Sequence, residues 1–164
     1  LILAHLPSGY LLGKGLARAR PAAAWVLPAT MLGAVLPDFD LFWFYLIDDR
    51  AFHHHRYWVH IPAFWAAVAA ITLPLVAFLT PRALIAVLGF FAGLMLHLLL
   101  DTFAGDILLA WPWSDRFFHL ITVPAAQSHW LLNFILHPVF LLELAIIAAA
   151  LWTFVQARTK AQKA

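Results

Sequence analysis

Three long apolar runs set the limits on what this chain can become. They cover residues 58–79, 83–100 and 130–155. A helix that crosses the hydrocarbon core needs about 20 such residues. Inside lipid only helices and closed barrels satisfy their own backbone. Runs of this length with no period-two alternation predict membrane-spanning helices. Pro81 and Arg82 separate the first two and predict a tight turn. Two further segments, 22–36 and 2–16, are apolar but shorter. The second holds His5, Pro7 and Gly9 and reads as a half-span packed against the others. Composition agrees: 65% of residues are hydrophobic, 11% are charged and mean hydropathy is +0.88. Soluble domains are about half apolar and about a quarter charged. The expectation is an all-α integral membrane bundle with about four to five membrane-embedded helices, some short. One domain is expected over 1–155, with a polar, basic tail over 156–164.

The same composition narrows the chemistry. There is no cysteine, which excludes disulfides, Cys-ligated zinc, haem-thiolate and iron–sulfur sites. A metal would have to use His, carboxylate or backbone oxygen. The formal charge of +2 and the scattered basic residues argue against a nucleic-acid partner. No basic region precedes the apolar stretch 1–6 and no small-residue cleavage site follows it, so a secretory signal is not expected there.

Charge bias gives an expected orientation. With Arg158, Lys160 and Lys163 cytoplasmic, helix alternation puts Lys14, Arg18, Arg20 and Arg82 on that side as well. The other side receives every acidic residue except Glu143, which lies within the last span and is expected to face the bundle interior. The same arrangement brings Asp38, Asp40, His55, His60, His97 and Asp101 to the extracytoplasmic ends of their segments, at one membrane depth.

These residues also have ligand-like spacing. His97 and Asp101 stand at i, i+4, which stacks them on one helix face and makes a two-point metal clamp. A helix-end Asp beside a packed His would look the same, but ionisable groups in a span are costly and functional by default. Asp38 and Asp40 follow Pro37, which turns the chain at Leu36; two carboxylates in a turn can chelate one ion or bridge two, or merely cap the next segment. His53, His54, His55 and His60 form the densest His cluster. Neutral imidazole is a common ligand of zinc and other first-row metals. His55 and His60 are favoured as ligands, with His53 and His54 flanking in an interfacial belt. Arg56 is suited to clamp an anionic group, since guanidinium matches phosphate oxygens in pairs. His5 can reach the same layer. His129 can join it from the start of the last span, whereas His119 and His137 have no partner spacing.

Taken in order, these motifs resemble the YdjM-type family of membrane-bound metal-dependent hydrolases, from His5 to about residue 118. His5 with Gly9, Leu36-Pro37-Asp38-Phe39-Asp40, His55-Arg56 followed by His60, His97 with Asp101, and the stretch from Gly105 to Ser114 each match an element of that family. Leu41, Tyr57 and Val59 stand where the family often has His, Gly and Thr, which alters the surroundings of the ligand positions without removing any. The resemblance implies a bacterial inner-membrane location. A more distant resemblance is to the zinc-dependent phospholipase C and single-strand nuclease superfamily, in which the last Asp bridges two metals; that implies a bridging role for Asp101. The superfamily's later H-x-x-x-E element has no counterpart: His129 is followed by Asn133 and His137 by Leu141.

The expected function is metal-dependent hydrolysis of a phosphoester in a membrane lipid or lipid-linked substrate, on the extracytoplasmic face. One or two divalent ions are expected, zinc first, with manganese or magnesium as alternatives. His60, His97, Asp101 and one carboxylate of Asp38 or Asp40 would hold the metal, with His5 and His55 serving a second ion or the substrate. The spare carboxylate would act as general base and Arg56 would hold phosphate. The competing readings are a membrane metallopeptidase or amidase, against which stands the lack of H-E-x-x-H, and a non-catalytic metal-binding membrane protein.

Overall fold

The computed structural model describes residues 3–19 and 24–162, apart from the Trp130 side chain. Arg20 and Lys163, two of the basic residues that bear on orientation, lie outside the described residues. Seven α-helices and no strand occur among the described residues: α1 His5–Ala19, α2 Val26–Val35, α3 Asp40–Leu46, α4 Pro62–Leu79, α5 Leu84–Asp101, α6 Trp130–Ile135 and α7 Val139–Ala161. Three are long and apolar enough to cross a membrane: α4, α5 with the short turn before it (Pro81–Asp101), and α7. The pair Val26–Val35 and Pro37–Leu46, bent by 47°, makes a fourth candidate. α1, at about 22 Å, is shorter than the hydrocarbon core.

Burial confirms the membrane reading. α4 exposes Ile71 at 72% and Phe78 at 84%, and α7 exposes Leu151 and Trp152. A soluble protein does not leave such a continuous apolar face in water. Lipid is the solvent that fits it.

The helices that carry the site pack through small residues. α2 and α5 run parallel, with Gly33 against Phe90 and Gly93 against Thr30. A Cβ at Gly33 would lie 2.0 Å from the Phe90 carbonyl oxygen, and one at Gly93 would lie 2.1 Å from that of Thr30. Small residues permit this approach where no hydrophobic force drives helices together within lipid. α1 runs antiparallel to both, with Gly9 on Ala34 and His5 beside His97. The starts of α1, α4 and α7 and the ends of α2 and α5 therefore gather at one end of the bundle.

Two expected spans change at their starts. Residues 58–60 form a short 3-10 turn, and α4 begins at Pro62, whose missing N–H suits the first helical turn. The run 130–155 is not one helix. It breaks after Ile135 and resumes at Val139. Pro138 supplies no N–H to continue the ladder, and the His137 imidazole accepts the Val139 N–H instead, at 3.2 Å.

Candidate metal centre

Asp101, at the last turn of α5 and buried, is the hub. Its Oδ1 lies 3.0 Å from His5 Nε2, and its Oδ2 lies 3.0 Å from His97 Nε2. His55 Nε2 and His60 Nε2 approach the same Oδ2 at 3.7 and 3.8 Å. Asp38 Oδ1 stands 3.8 Å from His97 Nε2. The His5 ring stacks on that of His97 with centroids 3.8 Å apart. Chain segments distant in sequence thus bring four imidazoles and two carboxylates to one end of the bundle.

Three of the four rings are aimed from behind. A carbonyl oxygen only accepts, so the ring nitrogen that faces it must carry the hydrogen. His97 Nδ1 donates to the Ala34 carbonyl and His55 Nδ1 donates to the Asp106 carbonyl, each at 2.8 Å. His60 Nδ1 faces Asp40 Oδ2 at 2.9 Å. In the neutral rings the three Nε2 atoms are therefore bare lone pairs. Those of His60 and His97 face each other at 3.4 Å, and that of His55 faces a carboxylate oxygen. Acceptors aimed at acceptors require a proton or a cation among them. This is the arrangement of metal-ligating imidazoles whose far nitrogens are held by carboxylate or carbonyl. Three overlapping donor sets bring one ligand atom per residue within 4.8 Å of one another: His5, His97, Asp101; Asp38, His60, His97; and His54, His55, His60. The donor set of nitrogen and carboxylate oxygen fits zinc and similar first-row ions. Burial holds the His55 imidazole well below its ordinary pKa and lowers that of His60, so both stay neutral and available at pH 7.

Of the residues singled out in the sequence, His5, Asp38, His55, His60, His97 and Asp101 meet here. Asp40 stands one layer back. Its oxygens face His60 and, at 3.7 Å, His54 Nδ1. His54, treated as flanking, therefore belongs to the cluster. Arg56 does not. Its guanidinium lies over the Phe117 ring, 5.3 Å from the centroid, and it lines a separate hollow with Trp58, Trp111 and Asp115. His55 is buried whereas Arg56, the next residue in the same 3-10 turn, is exposed, so the two diverge. His129 does not join the cluster either: its imidazole accepts the Leu131 N–H and caps α6. His119 pairs with Asp106 in an exposed loop.

Several contributors escaped sequence reasoning. The Ala34 and Asp106 carbonyls are backbone groups, which residue identity does not announce. Gly105 leaves room for His55, whose Cε1 would be 2.7 Å from a Cβ there. Glu143 is fully buried on α7 and accepts the backbone N–H of Leu3, at 2.8 Å, and of Ala4. It anchors the start of α1 immediately before His5.

The profile of the YdjM inner membrane protein family matches residues 1–161. This chain belongs to that family. The match extends beyond residue 118 and takes in α6 and α7, so the helix that anchors His5 is part of the YdjM unit. No curated protein and no solved structure matches the chain. As a YdjM inner membrane protein the chain is integral to the membrane, and its buried His/Asp groups can hold a metal ion.

Proposed function

We propose that this chain is a membrane-embedded metallohydrolase that cleaves a phosphoester of a lipid or lipid-linked molecule. The observation that carries the reading is the convergence of imidazole Nε2 atoms on Asp101, beside an open hollow of about 560 Å³. His54, His55, Asp38 and Asp101 line that hollow together with Val123, Phe134 and Phe44. A lining of both polar and apolar residues, at the end of a membrane bundle, suits a headgroup whose chain stays in lipid.

In this reading His60, His97 and Asp101 would hold one ion, and His5 and His55 would serve a second ion or the substrate. A divalent cation there, zinc first, supplies Lewis acidity that lowers the pKa of water and offsets charge on phosphoryl oxygens. Asp38, 30% exposed and on the hollow, accepts the proton from the attacking water. Asp40 faces His60 and His54 and positions those rings. Desolvation around His97 and Asp101 strengthens each of these interactions. We place the centre on the extracytoplasmic face, following the charge bias of the loops.

The test is turnover. Metal-loaded protein in detergent or nanodiscs should release phosphate or headgroup from phospholipid substrates, and Asp38→Asn should lower kcat by about a hundredfold or more with metal retained. Cleavage of amide substrates with no phosphoester turnover would instead support the peptidase reading.

A further inference from the structure

One basic side chain borders the hollow beside the metal centre, and it is not Arg56. We propose that Arg50 binds the phosphate group of the substrate, an inference that rests on the phosphoesterase reading above. Among the described residues Arg50 is the only Lys or Arg that lines this hollow, together with Asp38, Asp101 and the His53–His55 wall. No carboxylate among the described residues forms an ion pair with it; every described ion pair there involves a histidine. Its charge is thus uncommitted at the mouth of a site that would take an anion.

The backbone at Arg50 takes an uncommon conformation. Asp49 and Arg50 have φ of 45° and 58°, a left-handed conformation uncommon outside glycine. Strain at two successive residues persists only where the surroundings over-determine it, and such strain clusters at functional sites. Here the Arg50 N–H donates to the Phe44 carbonyl at 2.8 Å, and the Ala51 N–H donates to the Asp48 carbonyl at 2.8 Å. The Tyr57 hydroxyl donates to the Asp48 carboxylate. The turn is tied both to the end of α3 and to the segment that carries His55. A planar guanidinium lining the hollow beside the metal centre matches two phosphate oxygens at once. The shared chemistry is a phosphate group, which a lipid headgroup or a free phosphate would equally supply.

The experiment is calorimetric titration of the metal-loaded protein with two probes: inorganic phosphate, and a short-chain phosphatidic acid below its micellar concentration. Metal content is measured alongside in every variant. The proposal expects Arg50→Gln to weaken phosphate binding by about tenfold or more, the scale of one lost charge-assisted hydrogen bond, with metal content unchanged. Arg50→Lys should recover part of the affinity, and Arg56→Gln should shift it by less than about twofold, since nothing buried is lost. Phosphate binding unchanged in Arg50→Gln, or lost instead in Arg56→Gln, would overturn the proposal, as would a parent that binds metal but no phosphate. Tighter binding of phosphatidic acid supports the lipid source. Equal affinity for the two probes overturns that source while leaving the Arg50 assignment standing, so the two readings fail separately.

Discussion

The chemistry of the cluster turns on which ring nitrogen carries a proton. His97 and His55 are fixed by backbone carbonyls, whereas His60 is fixed by a side chain, Asp40. Only the last can be removed by substitution. Asp40→Asn should lower metal affinity by about ten- to a hundredfold, the usual effect of losing the group behind a ligating imidazole. Competition with a chromophoric chelator measures it. Unchanged affinity would mean that His60 needs no orienting partner. The sign of the pH dependence follows from burial. His55 and His60 have lowered pKa values, so protons compete for them only below the ordinary imidazole value of about 6.5. Metal affinity at these two rings should stay level from about pH 8 to about pH 6.5 and weaken as pH falls further. Residue types made this scale legible: His97 with Asp101, and His55 with His60, declared themselves by spacing. Asp40's position behind His60 did not, because a turn with two carboxylates does not state which one faces inward.

At the scale of elements, the site depends on helices that approach closely and start in the right place. Gly33→Ala should push α2 from α5, since its Cβ has no room beside the Phe90 carbonyl. Overpacking of this kind costs about 1–3 kcal/mol. The adjacent Ala34 carbonyl holds His97, so metal affinity should fall together with thermal stability. Glu143 acts on α1. Glu143→Ala strands the Leu3 and Ala4 amides, at about 1–3 kcal/mol, and should weaken metal binding through His5. Glu143→Gln keeps an acceptor oxygen and should lose less. Thermal unfolding in detergent, read with and without metal, separates the two effects. α4 and α5 were legible because apolar length is a strong signal. The break between α6 and α7 was less so, since apolar character continues through Leu136 while Pro138 ends the backbone ladder. The role of Glu143 was hidden because its partners are main-chain groups about 140 positions away.

For the whole molecule, composition and apolar run length already specified a membrane bundle, and the family match agrees. What they left open was how the ends meet. The parallel pairing of α2 with α5, through Gly33 and Gly93, brings Asp38 to His97, and no local pattern announces it. Orientation can be tested cleanly because the chain has no cysteine. Arg116→Cys in the exposed loop at the metal end should react with a membrane-impermeant maleimide in intact cells, and Lys160→Cys should not. The reverse labelling would move the centre to the cytoplasmic face. A bound ion should also stabilise the fold, by about 2.7 kcal/mol at a hundredfold excess over Kd, because its ligands come from α1, α5 and the segments between α2 and α4. The central claim, that this cluster is a metal centre, is tested most directly by elemental analysis of the purified protein, prepared without chelator, beside the His97→Ala/Asp101→Ala double variant. The account predicts about one to two equivalents of a divalent metal in the parent and loss of that metal in a variant that retains its helical circular dichroism. A parent that holds no metal, and takes none up from added zinc or manganese, would contradict it.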